Sequence, residues 1–191
     1  PRSGFGPGVF NNVGGTLRVA AGKTGSVTLE NANFSGNSTL DTSAAGSALN
    51  LASSNAASYA GTLNALGAGV SFASGGATHN FASGAVLNGT FTQSTRKTNF
   101  TSATLNGTYH LQGGTLALAN TTTLNGTLNY SGGVIAGAGS ATLALSAGDV
   151  LNITGGTKEF SGARLQNGGT VNLNLAAGNN LQLSNGGNFD N

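Results

Sequence analysis

The sequence predicts an all-β chain wound as a parallel β-helix, and three observations carry that prediction. The phrase Leu-Asn-Gly-Thr returns at Leu87, Leu105 and Leu124, at steps of 18 and then 19. Charged residues make up 6% of the chain, while glycine supplies 33 of its 191 positions. Globular surfaces carry about a quarter charged residues, and glycine, asparagine, threonine and serine are all poor in helix interiors. Finally, 38% of residues are hydrophobic and fall in short alternating runs such as "TLALAN", "ATLALS" and "TVNLNL". Alternation with period two is the mark of a half-buried strand, and it sets the chain apart from a disordered Gly/Ser/Asn-rich one.

The repeat can be followed along most of the chain. Its early relatives are "NFSGNSTL" at 33–40 and "AGTLNAL" at 60–66. Phe81 and Phe100 open the next two units, again one step of 19 apart. Leu87, Leu105 and Leu124 form one apolar column, which the same step, held constant, extends to Leu143. Four residues on, Phe91, Tyr109 and Leu128 form a second. Leu116 and Ile135, each behind a glycine pair, start a third, and "EFSGARLQNGGT" restates the phrase downstream.

Each unit reads as three short strands. In an antiparallel meander an odd number would reverse every equivalent strand from one repeat to the next. In a coil wound onward in one direction, equivalent strands run parallel and identical side chains stack about 4.8 Å apart. Asn-Gly between alternating runs, read alone, is a hairpin signal; three copies at coil spacing make it a bend within a coil. Glycine and asparagine accept the left-handed backbone that corners need. Repeated asparagines can stack as amide ladders. At roughly 19 residues per coil the chain supplies about ten coils, a rod of roughly 50 Å. Residues 1–191 form a single β-helix segment, expected to belong to a longer repetitive protein.

Little in the chain offers chemistry. The acids are Glu30, Asp41, Asp149, Glu159 and Asp190. Glu30 and Asp41 are 11 apart and Asp149 and Glu159 are 10 apart, about half a coil. The members of each pair therefore belong on different sides of the rod. A solvated role or a local ion pair is expected for each, and Lys158-Glu159 reads as surface charge. His79 and His110 are expected on the surface, since two imidazoles without acids or thiolates make a poor metal site. No nucleophile elbow or P-loop is present. The reading is of a non-enzyme with no catalytic residue, metal or cofactor. Polysaccharide-active β-helix enzymes and tailspike-like depolymerases stand as the alternative. The net charge of +2 is scattered, with Arg96-Lys97 the only adjacent cations, so no nucleic acid is expected. No apolar run approaches the roughly 18 residues of a membrane span. The absence of cysteine excludes disulfides and suits a chain that crosses a membrane unfolded.

Alternation places Asn88, Asn106 and Asn125, with Thr90, Thr108 and Thr127, on an exposed face available for contact. Flat threonine arrays are also used by ice-binding solenoids, although threonine suits any exposed strand.

"FNNVGGTLRV" (10–19), "GGTLALAN" (113–120) and "SGGVIAGAGSATLAL" (131–145) resemble the repeats of large secreted bacterial adhesins. These are the filamentous-haemagglutinin type and the passenger regions of autotransporters. The resemblance implies a right-handed β-helix, exported and displayed at the bacterial surface for cell adhesion. It implies a host or bacterial surface glycan or protein as partner. Neighbouring segments of a longer chain, and end-to-end stacking of uncapped coils, are further expected contacts. The Asn-Pro-Asn-Gly type of secretion motif and a membrane-barrel translocator are both missing, so a mid-shaft piece is expected; Arg-Gly-Asp does not occur. Nine Asn-x-Ser/Thr sequences occur, among them those at Asn88, Asn106 and Asn125. Some adhesins of this type are glycosylated at such sites.

Overall fold

The computed structural model describes residues 9–72 and 78–191, without the side chains of 9, 24–31 and 52–56. Among the described residues every element is a strand, every pairing is parallel, and the strands form one 20-stranded sheet. The result is a β-solenoid of about 8 turns with ~21 residues per turn. The expected ten coils overcount because the short repeat they rest on belongs to the middle of the rod alone. Thr104 steps to Thr123, whereas Thr39 steps to Asn64 and Gln166 to Asp190. The longer coils spend their extra residues in corner loops at 20–23, 43–47, 146–149 and 176–180. At the strand spacing, about 8 turns make a rod of about 40 Å. No helix among the described residues is long and apolar enough to cross a membrane.

Each coil has three faces, and one pairing exposes the rule. The single strand Thr121–Tyr130 stacks on two separate strands of the next coil. Its first half pairs with Thr142–Leu145 and its second half with Val150–Gly155. The long strands Ala85–Gln93, Ala103–Leu111 and Thr121–Tyr130 are thus two faces joined at a corner. The corner residue is the glycine of Asn-Gly. In a straight strand Gly107 would point inward with Leu105 and Tyr109, yet both of those are buried and Gly107 is exposed. The backbone must therefore bend between them. The strand continues through the expected break and pairs parallel throughout, so no hairpin forms.

Inward positions form the stacked columns the repeats foretold. On the first face Leu63, Leu87, Leu105 and Leu124 are in register. On the second, Val70, Phe91, Tyr109, Leu128 and Leu151 follow one another. On the third, Leu116 lies on Ile135, and Phe34, Tyr59, Phe81, Phe100 and Leu118 make one further column. Its rings are in contact: Phe34 and Tyr59 stack at 5.3 Å between centroids, and Tyr59 and Phe81 at 4.4 Å.

Leu143 is misplaced in the sequence reading. Leu145 continues the Leu124 column, whereas Leu143 stacks between Thr122 and Leu165. The slip is two residues, which keeps Leu143 inside but moves it to the neighbouring column.

Deleting a buried leucine opens a cavity between two rungs that cannot both collapse into it. Leu124 is fully buried between Leu105 and Leu145. Leu124→Ala is expected to destabilise the rod by about 2–5 kcal/mol, read as a lower urea midpoint.

Candidate functional site

Two outward features could meet a partner. The first is the corner where Asn-Gly-Thr repeats. Asn125 Nδ2 donates to Asn106 Oδ1 at 2.9 Å, and Asn106 Nδ2 donates to Asn88 at 2.8 Å. Asn88 donates to Asn64 at 2.7 Å and Asn64 to Asn37 at 2.6 Å. These five amides form a ladder across five coils, as the repeated asparagines predicted. Asn88 and Asn106 are half-buried and Asn125 is exposed. Much of each amide's bonding capacity is thus spent inside the rod. Thr90, Thr108 and Thr127 are aligned beside the ladder, all half-buried. The threonine column is three rungs long, since Val150 follows Thr127.

Below the ladder the corner opens into the 146–149 loop, and Asp149 closes the gap. Its Oδ1 accepts from the Gly126 amide at 2.7 Å and its Oδ2 from the Ser146 amide at 2.7 Å. The carboxylate supplies the acceptor that a continuous strand would have provided. Asn106→Ala removes an inner rung and both its ladder bonds. At about 1 kcal/mol net per bond, a loss of about 2 kcal/mol is expected in denaturant titrations.

The second feature was not foreseen. On the outer side of the third face, Asn33, Ser58, Asn80, Asn99, Ala117 and Ala136 occupy one register position on six successive rungs. Beside them run Ala60, Ala82, Thr101, Ala119 and Ala138. These short side chains leave two depressions of about 250 and 440 Å³, which share Asn80 and Thr101 and so run on as one trough along the rod axis. Asn99 Nδ2 donates to Asn80 Oδ1 at 2.8 Å on its floor, and Lys97 stands at its side. The signal in the sequence was the recurrence of "HNF" as "TNF" around Asn80 and Asn99, at the same step as the Asn-Gly phrase.

The charged and titratable groups are mostly structural. Asp41 is buried at 4% exposure and joins Arg18 at 2.7 Å. The Ser43 hydroxyl and amide, with Arg18, hold its carboxyl at about 2. Glu159 accepts from Ser184, and Asp190 pairs with Arg164. The Glu30 side chain lies outside the described residues. Among those described, Asp41, Asp149 and Glu159 each have separate partners, and no three His, Asp or Glu side chains gather where a metal could bind.

Two expected surface residues are inside. His79 is 3% exposed, with Nδ1 2.9 Å from the Tyr59 hydroxyl and its ring 4.8 Å from that of Phe72. Burial pulls its pKa down to about 4. Lys158, also 3% exposed, donates to the Gly156 carbonyl at 2.7 Å and lies over the Tyr130 ring. Burial lowers its pKa. His110 faces outward as expected, half-buried, with Nδ1 3.3 Å from the Asn129 amide. Gln93 is the other buried polar group of note. Tyr109 donates to its Oε1 at 2.9 Å, while its Nε2 donates to the carbonyls of Arg96 and Thr115 at 3.1 and 3.0 Å.

Comparison with family models, with curated proteins and with solved structures found no match to this chain.

Proposed function

We propose that this chain is a structural and adhesive module of a secreted or surface-displayed bacterial protein. Its work is to hold a surface at a distance and to offer repeated, weak polar contacts along that distance. The observation that supports this most is the axial trough: small and amide side chains repeat at every rung over six coils, on a face with little charge. Such a surface suits an extended, uncharged polymer such as a surface glycan, met by many similar contacts. The absence of cysteine and the sparse charge are compatible with export as an unfolded chain.

Immobilised rods presented with arrayed bacterial and host polysaccharides should retain some of them without shortening them. Ala117→Arg and Ala136→Arg fill the trough with long cations on a solvent-facing column, where the fold tolerates them. Each is expected to cut retention about ten-fold, equivalent to about 1.4 kcal/mol of contact. Shortened polymer would move the protein to the carbohydrate-cleaving class. Retention that both variants leave unchanged would remove the trough from the account.

A further inference from the structure

The described chain contains five Asn-Gly steps, at Asn88, Asn106, Asn125, Asn167 and Asn185. Asn-Gly is the dipeptide most open to a spontaneous reaction, because glycine places no side chain in the way. The glycine amide nitrogen attacks the asparagine Cγ, ammonia leaves, and a five-membered succinimide forms. Water then opens the ring to aspartate or isoaspartate. The sum is one water consumed and one ammonia released, with no oxidant or enzyme required. The step needs a free glycine N–H and a side-chain amide able to swing onto it.

Four of the five steps are locked. Gly89, Gly107 and Gly126 lie inside paired strands, with their asparagines tied into the ladder. The Gly126 amide is further engaged by Asp149. At the fourth step the Gly168 amide donates to the Leu145 carbonyl at 2.8 Å. Asn185-Gly186 differs in its backbone, and its side chain has one hydroxyl partner in place of a ladder of amides. Both residues are exposed in a turn, both have positive φ (50° and 82°), and it is the next residue, Gly187, whose amide closes the turn onto Ser184. Asn185 is held by its side chain alone, through Nδ2 to Ser161 Oγ at 2.8 Å.

We propose that Asn185 is the site of spontaneous deamidation in this protein, and that the amide ladder shields Asn88, Asn106 and Asn125, with Asn167 held by the Gly168 amide's bond to Leu145. The conversion has a structural effect. Asn185 Nδ2 also lies 3.5 Å from Ser184 Oγ, the hydroxyl that donates to Glu159. A carboxylate there loses both donors and places a second negative charge beside Glu159. Isoaspartate adds a backbone carbon next to Ser184, whose carbonyl accepts from the Gly162 amide of the coil before. The change loosens the register of that turn and cannot reverse.

The test is to incubate the whole chain in mildly alkaline buffer and follow each Asn-Gly peptide by mass spectrometry. A free peptide of the sequence around Asn185 serves as the reference. Conversion at Asn185 is expected to run about ten-fold or more ahead of the ladder sites, which must first open. Gly186→Ala, with open space around the position, should slow conversion at residue 185 and leave the strand spectrum intact. Conversion at Asn88, Asn106 or Asn125 as fast as at Asn185 would overturn the proposal. So would an Asn185 that stays intact while its free peptide converts. Both readings come from the wild-type chain and do not depend on the variant folding.

Discussion

Gly107→Ala is expected to destabilise the rod by about 3 kcal/mol or more, from strain and overpacking together. A Cβ at this position would lie 2.5 Å from the Gly89 carbonyl oxygen and 3.1 Å from that residue's nitrogen and carbonyl carbon. All three are backbone atoms of the neighbouring rung, so no side chain can move aside. The φ of +115° adds a conformation that alanine rarely adopts. Gly84→Ala is the matched control, because Gly84 also has positive φ, at +78°, but nothing lies within 4 Å of its Cβ position. That substitution should cost only the backbone term, about 1–2 kcal/mol. The difference between the two urea midpoints isolates the contact between coils. Equal losses would show that the corner glycines are needed for conformation alone. Gly89 and Gly126 are built the same way, each against the carbonyl of the rung before it.

The second large effect concerns acid. His79 is neutral inside the rod, with a folded pKa of about 4 against 6.5 for the free side chain. A folded value below the unfolded one means that the unfolded chain takes up the proton first. The stability is therefore intact above pH 6.5 and drains away as pH falls from 6.5 to about 4. At 1.36 kcal/mol per unit the full loss is about 3 kcal/mol, to order of magnitude. Asp41 acts in a lower window: its carboxyl, held at about 2 against 3.8, contributes stability lost only between those values. The two groups can thus be told apart by pH. The urea midpoint of the wild-type chain should fall across pH 6.5 to 4, while His79→Gln, neutral throughout, should be nearly flat there. A wild-type profile as flat as the variant's would show that His79 takes up its proton without leaving the core.

The middle of the rod was the most legible part of the sequence. There the corner is a bare Asn-Gly, the step from coil to coil stays at 18 or 19, and every inward residue meets its counterpart. Leu143 was misread because "TLAL" offers two leucines in the same local pattern. One more step of 19 from Leu124 lands on the first, while the real step to Leu145 is 21. Nothing within the strand distinguishes them; the two extra residues lie just before it, in the turn at 138–141, where the coil before has only 119–120. His79 and Lys158 are a different kind of error. Each lies two residues before a buried phenylalanine, Phe81 and Phe160, on one strand, so alternation already pointed both inward. Their residue type points to solvent and their strand position to the core, and position governs. The trough left a trace only at Asn80 and Asn99, for a third reason: the rest of it is made of what side chains lack, and alanine and serine give no pattern of their own.

The amide ladder has a direction. From Asn125 to Asn37 every rung's nitrogen donates to the coil before it, and Asn99, Asn152 and Asn172 do the same in their own rows. A growing rod therefore meets each new coil with a row of waiting acceptors, and the newcomer brings the donors. A coil added at the other end would meet the mirror case, a row of waiting donors to which it brings the acceptors. These rows thus give the rod two chemically different ends, acceptors toward the C-terminus and donors toward the N-terminus, while Asn167, in its own row, donates the other way, to Asn191.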